Sequence, residues 1–116
     1  MGEIAILVGL LAALGALAGA LAVAPAALLV AGFWLTVAGL GFGVPTGVLY
    51  HVALRRSLLA ADALPARWWW SPTTLHDAIP DADRAWVLGW CYAGAAGFLV
   101  TVLGCALVAL AAWRGI

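Results

Sequence analysis

From Ile4 to Leu54 no position carries an Asp, Glu, Lys or Arg, a run of 51 residues. As one continuous helix this run would measure about 76 Å. A bilayer's hydrocarbon core is about 30 Å thick and is crossed by about 20 residues, so the run folds back once. Pro25 marks the turn, because residues before a proline leave helical geometry and proline suits the first turn of a new helix. The pattern predicts a first span over residues 4–23 and a second over residues 26–54. The second is about 43 Å long if straight, which calls for tilt, bending or extension past the membrane. Gly39, Gly41, Gly43, Pro45 and Gly47 fall inside it, and they predict a kink or a short non-helical break.

Residues 55–84 break the pattern. They carry Arg55, Arg56, Arg67 and Arg84 together with Asp62, Asp77, Asp81 and Asp83. A third uncharged run follows over residues 85–113, bracketed by Arg84 and Arg114. The expected fold is an all-α integral membrane protein. Three transmembrane helices form a single membrane domain, with one structured interfacial connector over 55–84. Within that connector Ser71-Pro72 reads as a helix start, with Ser71 as cap and proline in the first position. A short interfacial helix is expected over Thr73–Ile79. Pro80-Asp81-Ala82-Asp83 then opens the third helix, its acids favourable at the N-terminus. The first span is retained as a helix rather than removed as a signal peptide, since Met-Gly-Glu supplies no basic n-region.

Composition sharpens the class. The chain of 116 residues is 67% hydrophobic and 9% charged, with a mean hydropathy of +1.15. A soluble domain is about a quarter charged, and one this small buries only about two thirds of its surface. A soluble globular fold is therefore excluded. Five arginines balance five acids and there is no lysine, so no basic field exists for a nucleic acid. Orientation follows the arginines. Four lie in the connector and none near Pro25, which predicts a cytoplasmic connector, a cytoplasmic N-terminus and a C-terminus outside. Arginine without lysine, with heavy Ala and Gly use, suggests a GC-rich bacterium and its inner (cytoplasmic) membrane.

Small residues mark expected helix-packing faces: Gly15 and Gly19 on the first helix, Ala93 and Gly97 on the third. Small side chains let backbones approach where lipid gives no hydrophobic drive between helices. No helix sustains a heptad. Arg55, Arg56, Arg67, Trp68, Trp69 and Trp70 form an interfacial docking set, with arginines for phosphates and indoles for the headgroup level. Three consecutive tryptophans cannot all point one way, so one is expected to face protein.

Chemistry is sparse. His51 stands near the end of the second helix as a candidate pigment or quinone contact, set against a plain polar residue near a helix end. Cys91 and Cys105 are about 21 Å apart along one helix and cannot bridge. The Gly39–Gly47 stretch fits neither phosphate-binding template. No carboxylate lies inside a span, which argues against an ion-coupled carrier. No catalytic residue, metal ligand or cofactor is expected. The sequence points to a non-catalytic accessory subunit of a larger membrane complex. A bioenergetic host, respiratory or photosynthetic and so engaged in electron transport, is expected. The alternatives are a homo-oligomeric channel or carrier lined by the glycine-rich stretch, and a lipid- or quinone-linked enzyme using Arg67, His76 and Asp77.

Overall fold

The computed structural model of the chain describes residues 2–115. It is all-helical, 85% helix with no strand among the described residues. In chain order the elements are α1 (Gly2–Ala22), α2 (Pro25–Ala60), a 3-10 turn (Pro72–Ala78) and α3 (Asp81–Trp113). Three helices are thus long and apolar enough to cross a membrane. At 1.5 Å per residue, α2 is about 54 Å long and α3 about 50 Å, and the longest dimension of the molecule is 54 Å. Both exceed a hydrocarbon core by several turns, and their paired ends carry the connector and its charges.

Pro25 is the first residue of α2, preceded by Ala24 in an extended conformation. A proline costs nothing there, because the first N–H groups of a helix have no partner inside it. Pro45 sits differently. It lies inside α2, yet the helix continues through it without interruption, so the expected non-helical break is absent. Pro45 removes the N–H that would bond the Gly41 carbonyl. The Thr46 hydroxyl donates to the carbonyls of Phe42 (2.8 Å) and Gly43 (3.1 Å), not to Gly41. The turn is braced from outside by α3, where Gly97 lies against Gly43.

That brace is the main packing of the fold. α2 and α3 run antiparallel and touch along a seam of small residues. A Cβ added at Gly32 would lie 2.7 Å from the Gly104 carbonyl oxygen, and one at Gly104 would lie 2.5 Å from the Thr36 nitrogen. A Cβ at Gly39 would meet the Thr101 nitrogen at 2.6 Å, and one at Gly97 would run into the Gly43 backbone. At Gly94 it would still approach Gly47 at 3.4 Å. The seam on α2 passes through positions 32, 36, 39, 43, 46, 50, 53 and 57, and on α3 through 87, 90, 94, 97, 101, 104, 108 and 111. Both advance by alternating steps of three and four. This is the 3.5-residue period of left-handed helix pairs, which corrects the expectation that no helix sustains a heptad. Over 32–46 on α2 and 94–104 on α3 the knobs are glycine and threonine rather than leucine, so this stretch is invisible to a search for large apolar residues. Thr36 and Thr101 return their hydroxyls to their own helices, at Gly32 and Gly97, each at 2.8 Å. They therefore pack at the seam without leaving a polar group unpaired.

Toward the connector the seam widens into a conventional core. Tyr50, Ala53, Leu54, Leu58, Ile79 and Val87 are buried together, with Leu64, Trp68, Leu75 and Trp90 packed around them. α2 ends there in a Schellman motif. The N–H of Asp62 donates to Leu59 and that of Ala63 to Leu58, with Asp62 at φ +53°. Glycine usually takes that left-handed position, and aspartate is among the few others that tolerate it. Ala63 packs against the core cluster that holds Leu58, as the motif's hydrophobic contact requires. The expected interfacial helix forms as a 3-10 turn. Ser71 precedes it, but its side chain makes no cap bond. Instead the Ser71 carbonyl accepts both the N–H and the hydroxyl of Thr74. α3 then opens with Asp81 and Asp83 in its first turn. Asp83 accepts a hydrogen bond from buried Ser57 at 2.9 Å, which ties the start of α3 to the last turns of α2.

α1 stands apart. It buries none of its residues. Its fixed points are at its C-terminal end, where Arg114 reaches back from α3. The Arg114 guanidinium donates through Nη1 to the carbonyls of Ala20 (3.3 Å) and Val23.

Candidate functional site

Two regions hold the residues singled out from the sequence. The first is the connector end of the α2/α3 pair, where the only two histidines meet one tyrosine. Tyr50 lies on the buried face of α2, in the series Tyr50, Ala53, Leu54, Ser57, Leu58 that keeps one helix face turned to the core. Its hydroxyl is 2.6 Å from His76 Nε2, which fastens the 3-10 turn to α2. His51, one residue on, is half-buried, and its Nδ1 donates to the Gly47 carbonyl at 2.8 Å. A carbonyl only accepts, so this bond leaves Nε2 as the acceptor nitrogen of a neutral His51 ring. The Tyr50 ring is 5.2 Å from that of His51 and 5.9 Å from that of His76, both edge-on. Trp68 closes the group at 6.1 Å from His51.

The cluster forms a hydrogen-bonded strap between α2 and the 3-10 turn. Each imidazole has one nitrogen engaged, and among the described residues no three His, Cys, Asp or Glu side chains gather in a metal-binding group. Asp77 is exposed and makes no side-chain bond among those described. Cys91 is half-buried at the edge of the core and Cys105 is exposed, its Sγ 3.9 Å from the Thr36 hydroxyl.

Of the three consecutive tryptophans, Trp68 turns inward against the core. Trp69 and Trp70 are exposed and contact each other edge-to-face at 6.0 Å. Arg55, Arg56 and Arg67 are also exposed at this end. Arg84 behaves differently: it is half-buried, donates to the Ile79 carbonyl at 3.3 Å and lies 3.7 Å from Asp81. The exposed set therefore combines three guanidiniums with two indoles around one end of the helix pair. Such a surface suits phosphates and the apolar–polar boundary of a headgroup layer.

The second region is α1. Gly15 and Gly19 have nothing within 4 Å of an added Cβ, whereas Gly97 lies in the α2/α3 crossing. Ala93 is half-buried beside Gly94, the residue that faces Gly47. The α1 side nearest α3 is formed by Ala13, Ala16, Leu17 and Ala20. At 100° per residue, Gly15 and Gly19 lie about 130° round the helix from that side. They point away from the rest of the chain.

Tyr50, the Ser57–Asp83 bond and Arg114 hold the segments together and are not singled out by the sequence. Tyr50 had a usable signal in the i, i+3, i+4, i+7 spacing it shares with Ala53, Leu54 and Ser57. Arg114 had none, because its partners are backbone carbonyls more than 90 residues away. Against protein-family models, curated proteins and solved structures the chain finds no match.

Proposed function

We propose that this chain is a non-catalytic accessory subunit of a larger integral membrane assembly, joined to it through the outer face of α1. One observation carries the reading. α1 is a 21-residue helix, apolar from Ile4 onward, with no residue buried, and its glycines touch nothing. On α2 and α3 the same kind of residue brings two backbones into contact. Glycine costs a helix about 1 kcal/mol relative to alanine, and in lipid that cost is returned only where another backbone comes close. Gly15 and Gly19 therefore call for a partner helix outside the chain.

In this reading the chain lies in a bacterial cytoplasmic membrane with residues 55–84 on the cytoplasmic side, and the host is a bioenergetic complex. Exposed Arg55, Arg56, Arg67, Trp69 and Trp70 then hold that side at the headgroups. Continuity of α2 through Pro45 supports the subunit over a homo-oligomeric pore, since Gly39 and Gly43 already face α3. Occupation of His76 by Tyr50 supports it over a lipid- or quinone-linked enzyme.

A photoreactive residue at position 15 tests the contact in source membranes. Irradiation should give one adduct of defined mass with a different membrane protein, whereas the same residue at position 44, exposed on α2, should give none with that protein. Adducts with lipid alone at position 15 would overturn the reading.

A further inference from the structure

A groove of about 360 Å³ runs between α1 and α3. Ala13, Ala16 and Ala20 line one wall and Leu103, Ala106 and Leu110 the other, with no polar side chain among its lining residues. Alanines at positions 13, 16, 20 and 106 leave this apolar space open. A flexible hydrocarbon chain is the apolar object of matching shape.

The end of the groove identifies what that chain is attached to. The last lining residues of both walls, Ala20 and Leu110, are hydrogen-bond partners of Arg114. Its backbone N–H donates to Leu110 at 3.0 Å, and its Nη1 donates to Ala20 at 3.3 Å and to Val23. The Arg114 backbone stands about 6 Å beyond Leu110 along α3, and its guanidinium is held at the Ala20 and Val23 end of α1. A guanidinium has five N–H donors. Nη1 carries two of them, and Nε and Nη2 carry the other three. Among the described residues no carboxylate side chain pairs with Arg114; the one such ion pair is Arg84 with Asp81. Trp113 beside it is exposed, as an indole at a headgroup layer would be.

A fixed cation at the end of a dry groove complements a molecule with an anionic head and an apolar tail. We infer that the α1/α3 groove binds one phospholipid, with an acyl chain between the helices and the phosphate diester on Arg114. The lipid fills the space that separates α1 from α3. This inference rests on the helices spanning a bilayer, but not on the partner assembly, and it is tested on the isolated chain.

The experiment is native mass spectrometry of the full-length chain in mild detergent, titrated with phosphatidylglycerol or with diacylglycerol of the same acyl chains. Phosphatidylglycerol should give a single saturable adduct, and diacylglycerol one weaker by about tenfold or more. Arg114→Gln should erase that difference, and Arg114→Lys should restore part of it. Arg114 also moors α1, so Ala106→Phe provides an independent variant. It fills the groove without changing Arg114 or any residue bonded to it, and should abolish the adduct while helix content by circular dichroism stays unchanged. Equal retention of the two lipids would overturn the inference. So would adducts that accumulate without a plateau, or an adduct undiminished in Ala106→Phe.

Discussion

Replacing Gly97 by leucine is expected to separate α2 from α3. An added Cβ at this position runs into the Gly43 backbone and comes within 3.1 Å of the Gly39 carbonyl oxygen. Neither obstacle is a flexible side chain, so relief requires one helix to move away from the other. Because the seam is continuous from Gly32 to Gly47, a shift at its centre loosens the contacts on both sides. Overpacking a well-fitted core costs about 1–3 kcal/mol and occasionally more; a backbone-against-backbone site belongs at the upper end or above it. Gly89→Ala is the matched control. Gly89 is on the same helix with nothing within 4 Å of an added Cβ, and alanine is better than glycine in a helix by about 0.5–1 kcal/mol. Thermal unfolding of the purified chain in mild detergent should show a large drop in midpoint for Gly97→Leu and a small rise for Gly89→Ala. Similar midpoints for the two variants would mean that the α2/α3 seam does not hold the fold.

The second large effect is expected at the opposite kind of glycine. Gly15→Ile with Gly19→Ile should leave the chain folded and remove it from its assembly. Neither position has a neighbour inside the chain, so folding has nothing to lose at either site. Against a partner helix, each branched side chain pushes two backbones apart at a contact built for close approach. If each site loses about 1.5 kcal/mol, affinity falls by about two orders of magnitude. The readout is the fraction of the chain that co-purifies with its partner in mild detergent, compared with the unfolding midpoint of the same variant. Lower co-purification with an unchanged midpoint is the expected result. Unchanged co-purification would place the partner elsewhere, and a lowered midpoint would mean that α1 packs inward after all.

These two substitutions also mark the limit of what the sequence discloses. The turn at Pro25, the three apolar helices and the charged connector are legible because each depends on polarity changing along the chain. The α2/α3 seam depends on something else. Val30, Val37, Leu40, Val44 and Val48 face outward while Gly32, Gly39 and Gly43 face inward. Both sets are apolar, so hydrophobic periodicity does not separate them; they differ in size. A search for small residues at alternating steps of three and four would have found the seam. Where the connector starts, polarity returns as a guide, and the Tyr50–Ser57 face becomes readable beside exposed Arg55 and Arg56. The tertiary bonds of the site remain hidden for another reason. His76 on Tyr50, Ser57 on Asp83 and Arg114 on Ala20 each join distant segments, and only the folded antiparallel register brings them together. The continuity of α2 through Pro45 is hidden for the same reason, since Gly97 of the facing helix braces that turn across the seam.

The measurement that bears most directly on the proposed role is the size of the particle in which the chain leaves its source membrane. Native electrophoresis in mild detergent, with mass spectrometry of the band, reads that size and its contents together. An accessory subunit of 11.9 kDa should migrate in a band many times its own mass, with other membrane proteins in fixed proportion. A band at the mass of the chain or a small multiple of it, containing no other protein, would contradict the account.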